Sequence, residues 1–471
     1  MFPKAFKHSI VKPKVKDKYG DENDLKNYRP LSNTCFLSKV TEKVVHNQLN
    51  QYLYDHNLHS IYQSAYKKNH SCETALMKIT NDLKNDMVRN NITALFLLDL
   101  SAAFDTIDHT LLIQKLQKRF GIGGKALKWI KSYLENRTFS VTISSVDGNK
   151  IVLKFGVPQG SILGPLLFIL YISEISVIAQ KYEIKIHIYA DDTQLYLSFQ
   201  PLTSMTVTVK NLQSCINEVK SWMNHNYLKI NVSKTQVMCM ANKATKKLFE
   251  PRFLDLLKSE MSINENQFFT EAKLLGVQLD SSLSMTQHVS KICQSGMYSI
   301  KVLNCLRNVI DSDTKIILVK SLVLNKLDYC NSLLASAPNY LIEKIQKVMN
   351  SSIRFIYNLK KSTSITPYMK RAHFLPVQHR IKYKLCCETF KVLNNISPKY
   401  LHDFLTPDFP KRTGLRTSND FALVKTSNCE KSVSHAMCNE WNKLPQELRI
   451  KGKLKDFKSA LKTHYFNLYY D

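Results

Sequence analysis

Tyr189-Ala190-Asp191-Asp192 sets two adjacent carboxylates between two alternating apolar runs. Ile184, Ile186 and Ile188 stand on one side with Lys185 and His187 between them, and Leu195 and Leu197 flank Tyr196 on the other. Period two on both flanks predicts a β-hairpin with the acids at its tip. Two ionised carboxylates side by side repel unless a cation neutralises them, and hard oxygen ligands on a rigid turn suit Mg²⁺. Taken alone, an Asp-Asp pair is far more often an ordinary solvated turn. Its neighbours decide.

The first neighbour is Ala94-Leu95-Phe96-Leu97-Leu98-Asp99, an apolar run too short for a helix that ends in an acid. Such a run predicts a strand buried on both faces, delivering its carboxylate where the strand leaves the core. If it lies beside the hairpin, Asp99, Asp191 and Asp192 converge. Three carboxylates from a buried sheet are the minimum set for holding two divalent ions in a phosphoryl transfer.

With these residues in view, the chain resembles the reverse transcriptase domain of non-LTR (LINE-type) retrotransposons, close to the jockey-like group. Leu98-Asp99-Leu100-Ser101-Ala102-Ala103-Phe104-Asp105 is similar to that family's first catalytic motif, Gly156-Val157-Pro158-Gln159-Gly160-Ser161 to its second and Tyr189-Ala190-Asp191-Asp192 to its third. They occur in the family's order, and the resemblance extends over nearly the whole chain.

Bulk composition agrees. A chain of 471 residues exceeds what one core usually serves, so two or three subdomains are expected, and 44% apolar residues fit a folded globular protein. The 66 Lys+Arg against 38 Asp+Glu give a net charge of +28, which favours a polyanionic partner bound in a salt-dependent way. The 11 Cys are scattered and lack metal-ligand spacing, so free thiols and no structural zinc are expected; Cys386, Cys387 and Cys438 are expected in the core. The longest apolar stretch, Leu163 to Ile172, is too short to span a bilayer, so a soluble protein without membrane attachment is expected.

Lysines at 4, 7, 12, 14, 16 and 18 precede a polar turn, Gly20 to Asp24, a pattern expected of a solvated face or nuclear-import signal. They lead into Asn27-Tyr28-Arg29-Pro30-Leu31-Ser32, and the resemblance implies that Arg29 faces the phosphates of the incoming nucleotide. A planar guanidinium suits that role. The family normally carries more fingers sequence and an endonuclease upstream, so a truncated open reading frame is expected. Helical periodicity runs from Leu37 through Leu53. In Tyr62 to Ala75, similar to the family's fingers motif, Tyr66-Lys67 stands where Phe-Arg is usual; Ser71 is expected to cap the next helix, with Lys67 and Lys68 on template backbone.

The resemblance also implies that Phe104 abuts the sugar of the incoming nucleotide, where a ring would clash with a 2′-hydroxyl. Asp105 and Asp108 are expected to be local hydrogen-bonding and capping groups. Residues 139–155 alternate and predict a hairpin turning at Asp147-Gly148-Asn149. It feeds the glycine-rich second motif, in which the resemblance places Gln159 and Gly160 against nucleotide and template. Trp222 to Thr235 looks like the next motif, with Lys234 near the leaving pyrophosphate. Leu274 to Asp280 resembles the primer grip, carried by Leu275 and Gly276 with His288 following. From Val289 the chain is expected to be helical, broken by Pro398, Pro407, Pro410 and Gly414, and closed by Trp441-Asn442-Lys443-Leu444-Pro445, for which composition supplies no role.

The expected architecture is α+β, a right-hand polymerase with a mixed palm sheet, helical fingers and a helical thumb. Expected divisions are fingers at 1–90, palm at 91–285, thumb at 286–360 and a helical extension at 361–471. The implied activity is RNA-directed DNA polymerisation, with Asp99, Asp191 and Asp192 holding two Mg²⁺ ions (Mn²⁺ as substitute). The implied partners are RNA template, DNA primer or target and dNTP, with no obligate protein partner, in the nucleus and cytoplasm. Two alternatives stay open: a truncated RNA-binding relic without activity, and an RNA-dependent RNA polymerase, against which Phe104 and the Ala before the acids weigh.

Overall fold

Ile92 to Leu98 is apolar at all but one position, and a segment buried on both faces belongs in the middle of a sheet. In the computed structural model, which describes residues 1–16, 21–101, 104–202, 204–231, 234–261, 265–407, 422–424 and 429–471, it takes that place. The strand order is Gln236–Met240, Ile92–Leu98, Asp192–Phe199, Lys185–Tyr189, antiparallel throughout. Alternation then sorts the side chains. Phe96, Leu98, Ile186, Ile188, Leu195 and Val237 enter one core with the helices Gly164–Tyr171, Ile175–Lys181 and Met205–His225. Leu95, Tyr196, Met238 and Met240 enter a second core with Leu76, Ile79 and Leu83 of the Cys72–Val88 helix. Ser71 caps that helix, accepting from Thr74 N–H while Thr74 returns the bond, as expected.

The opening of the chain differs from expectation. The expected helices are present at Phe36–Asp55 and Cys72–Val88, but in place of a solvated lysine run before them His8–Val15 is a strand, paired antiparallel with Tyr28–Thr34 and parallel with Thr138–Ile143. Lys12 and Lys14 fall on alternate positions and face out, while Ser9 and Val11 turn in, so a strand accommodates the charge where one helical face would not. Lys18 and Gly20 lie outside the described residues. The hairpin over 138–152 is present, but its tight turn is Ser144-Ser145, with φ of 48° and 68°, not Asp147-Gly148-Asn149. Two positive φ values make the primed turn that matches strand twist. Register shifts by one residue between Thr142↔Asp147 and Phe139↔Ile151, so the turn-like Gly148-Asn149 lies in a bulge.

Gly164–Lys181 is an 18-residue segment long and apolar enough to cross a membrane, longer than the stretch judged by composition; 67% of it is buried inside the fold. Beyond Thr286 the chain is largely helical, as expected. Thr286–Leu303, Asn339–Ile356, Val377–Leu393, Val433–Asn442 and Leu454–Tyr470 all contribute to the second core, so residues 286–360 and 361–471 share one interior. Trp441 lies buried 5.7 Å from Phe457, itself stacked on Phe390 at 4.5 Å. The Asn442 side chain donates to Leu423 O and accepts from Leu423 N–H. The terminal motif without a role in sequence thus pins the last helices together. Pro398 opens a short 3₁₀ turn, Lys399–Phe404; Pro410 and Gly414 lie outside the described residues. All eleven cysteines are free thiols, and Cys386, Cys387 and Cys438 are buried.

Candidate active site

The register pairs Leu98 with Thr193, which places Asp99, one residue on, opposite Asp192. Asp99 leaves the sheet where Asn231 N–H donates to its carbonyl at 2.9 Å, and Leu100 pairs with Ile230 just beyond. The Asn226 to Thr235 motif therefore backs the first acid. Ala102 and Ala103 of the first motif lie outside the described residues. Tyr189 and Asp192 close the hairpin around Ala190 and Asp191, and Ala190 holds a left-handed φ of 58°. A side chain adopts that region only when its surroundings impose it.

The acids feel one another. Burial and the Asp99 charge hold Asp191 above the usual carboxylate range, with Arg29 opposing them. Desolvation, then Asp191 and Asp99, push Asp192 up to about 6. Lys234 Nζ stands 3.9 Å from Asp99 Oδ2. Asp99 and Asp192 form one wall of a cleft of about 340 Å³, completed by Gln194, Lys234, Gln236 and Lys273. Among the described residues no three acid, His or Cys side chains are grouped tightly enough to enclose an ion alone. The raised pKa values of Asp191 and Asp192 are of the kind that a neighbouring cation relieves.

The other expected residues are placed as follows. Arg29 is exposed on the Tyr28–Thr34 strand, close enough to act on Asp191. Phe104 is half-buried and stacked on Phe168 at 4.6 Å. Gln159 donates to both Asp105 oxygens at 3.0 and 2.9 Å, while Ser32 N–H donates to its carbonyl at 2.7 Å. Gly160 has φ 124°, and a Cβ there would meet Ser32 O at 2.4 Å, so glycine is required by the Tyr28–Thr34 strand itself. Lys68 is exposed. Lys67 is not presented to a template: its ammonium donates to Ser60 O at 2.9 Å, and burial followed by Lys399 lowers it to about 8. Leu275 and Gly276, φ 46° and 82°, form the tight turn between Glu271–Leu274 and Val277–Asp280. Tyr329 O–H donates to Leu275 O at 2.7 Å. His288 is buried, its pKa lowered to about 4 by desolvation, and its ring faces Gln278 N–H. Asp108 caps the His109–Lys118 helix, as expected.

Sequence reading missed Glu42 and Gln63. Glu42 is fully buried and accepts from Ser38 O–H and from Ile162 and Leu163 N–H, tying the Phe36–Asp55 helix to the second motif. The signal was there, for Glu42 interrupts the inward stripe Ser38, Val45, Leu49, Leu53. Gln63, buried, accepts from Ala190 N–H at 3.1 Å, and no spacing announced it.

Residues 12–279 match the family described as reverse transcriptase (RNA-dependent DNA polymerase). The chain belongs to that reverse transcriptase family. Among curated relatives it is 27% identical over 293 residues to the "Probable RNA-directed DNA polymerase from transposon BS" of Drosophila melanogaster, covering 61% of this chain and 31% of that protein. To the "RNA-directed DNA polymerase from mobile element jockey" of the same species it is 26% identical, covering 75% and 38%. The reverse transcriptase chain thus spans about a third of the length of these relatives, and the jockey-like resemblance drawn from its motifs is the one they support. A solved structure, "Structure of apo telomerase from Candida Tropicalis", is similar at 11% identity with a TM-score of 0.44, covering 85% of this chain and 68% of that one.

Proposed function

We propose that this chain is the RNA-directed DNA polymerase of a jockey-like non-LTR retrotransposon, adding dNTPs to a DNA 3′ end on an RNA template. The observation that carries it is the strand register that sets Asp99 opposite Asp192 at the wall of a cleft that Lys234, Lys273, Gln194 and Gln236 also line. Asp99, Asp191 and Asp192 would hold two Mg²⁺ ions, with Mn²⁺ as substitute, which supply charge neutralisation for the triphosphate and lower the pKa of the primer hydroxyl. Arg29 clamps the triphosphate. Lys234 gives positive charge, and a proton, to the departing pyrophosphate. Phe104 excludes a 2′-hydroxyl, Gln159 and Gly160 shape the nucleotide's edge of the site, and Leu275-Gly276 presents backbone to the primer. Lys68 serves template backbone. Fingers at 1–90, palm at 91–285, thumb at 286–360 and an extension at 361–471 remain the working division, and access to the nucleus as well as the cytoplasm fits DNA as target.

The test is incorporation of labelled dTTP on poly(rA)/oligo(dT) with Mg²⁺, beside Asp99→Asn, Asp191→Ala and rNTP controls. Incorporation selective for dNTP and abolished in both variants, with salt-sensitive nucleic-acid binding intact, is the expected result. Binding without incorporation by wild type would overturn it in favour of an inactive RNA-binding relic, and rNTP preference in favour of an RNA polymerase.

A further inference from the structure

The turn that carries the acids is held from outside the hairpin as well as within it. Tyr189 and Asp192 pair across it, but Ala190 between them is a non-glycine residue with a left-handed backbone, and its N–H is taken by a side chain from far away, Gln63. Gln63 is anchored in turn. Its Oε1 also accepts from Ala65 N–H at 2.9 Å, and Tyr62 to Ser64 runs along the edge of the Lys185–Tyr189 strand, with Ile188 N–H donating to Tyr62 O at 2.8 Å and Ser64 N–H to Ile188 O at 2.9 Å.

Behind this edge lies a chain of polar side chains. Ser64 Oγ is 2.9 Å from His187 Nε2 and 2.9 Å from the hydroxyl of Tyr400. That hydroxyl reaches Thr74 Oγ1 at 3.1 Å, and Thr74 already gives its own proton to Ser71 O. Counting protons orients the chain: Tyr400 donates to Thr74, Ser64 donates to Tyr400, and His187 donates from Nε2 to Ser64. Burial keeps the Tyr400 phenol protonated, with its pKa raised to about 12, and keeps His187 neutral, its pKa lowered to about 3. Tyr400 lies edge-on to the His187 ring at 5.2 Å. It belongs to the Lys399–Phe404 turn, in the region beyond the family match.

We propose that Gln63 and Tyr400 are positioning residues for catalysis: Gln63 fixes the left-handed Ala190 turn, and Tyr400 carries that support from the C-terminal region through Ser64. The Lys399–Phe404 turn is therefore part of the support of the acid turn rather than an appendage. This rests on the acids being catalytic, and the test separates the two.

The experiment compares full-length wild type, Tyr400→Phe, Gln63→Leu and the double variant, with kcat normalised to active sites. It also follows amide exchange of residues 189–192 under native conditions. Tyr400→Phe is expected to lower kcat about 10-fold and Gln63→Leu about 100-fold, as small misplacements of reacting groups do, with KM for template-primer within about 2-fold. The double variant should match Gln63→Leu alone, because the two act in series. The Ala190 amide should exchange about 10-fold faster in Tyr400→Phe while the Ile92–Leu98 amides are unchanged. Unaltered kcat per site, additive losses or unaltered Ala190 exchange would overturn the proposal. If wild type incorporates nothing, the catalytic reading fails by itself, and Ala190 exchange in Tyr400→Phe still decides whether the support exists.

Discussion

A carboxyl pushed up to about 6, as Asp192 is, opposes folding once it ionises. Its folded pKa lies above its unfolded one, so the native state binds the proton more tightly, and stability falls as pH rises from about 4 through 6. Asp192→Asn should therefore raise the melting temperature at pH 8 without divalent ions. The gain, on the order of 1 kcal/mol after solvent screening, should vanish near pH 4, and calorimetry at the two pH values measures it. A stabilising mutation that abolishes activity is the signature of a working charge. Phe104→Val should lower discrimination of dNTP over rNTP by about 10-fold, read from the ratio of kcat/KM values. Loss of the stack on Phe168 should cost about 1 kcal/mol as well. The places of Asp99, Asp191 and Asp192 at a strand end and a hairpin tip were legible in sequence because the flanking periodicity marks both. Lys67 was misread because a lysine spent on a carbonyl and one offered to solvent are spelled alike.

Elements were legible wherever burial imposes a period. The acid hairpin, the Ile92–Leu98 strand and the Cys72–Val88 helix all stand where alternation and capping put them. The fingers sheet escaped because its parallel pairing joins His8 to Thr138, a long-range match that local pattern cannot carry. The Ser144-Ser145 turn escaped because Gly148-Asn149 is the stronger turn signal, though a bulge uses it. Glu42 shows how one element holds another: its carboxyl group accepts three bonds in a fully buried setting, two from the backbone that directly follows the second motif. Glu42→Ala should leave those N–H groups unpaired and cost about 3 kcal/mol, seen as a lower urea midpoint. Glu42→Gln, which still accepts one bond, should cost less.

At the scale of the molecule, two cores meet across the palm sheet, and the second runs from the Cys72–Val88 helix to the last turn of the chain. Lys384 pairs with Glu73 at 2.7 Å, and Ser434 N–H donates to Asn81, so the C-terminal helices grip that helix along its length. Trp441→Ala should cost about 3–5 kcal/mol and, through this shared interior, lower the thermal transition of the palm together with that of the C-terminal helices, which calorimetry resolves. Such unity was hidden in sequence, since periodicity reports that a face is buried but not against what. The bond between Ser64 and Tyr400 spans 336 positions. A ribosome releases the acid hairpin long before it has made Tyr400, so for that interval a nascent chain holds its acid turn through Gln63 alone, without the hydroxyl that later reaches Ser64.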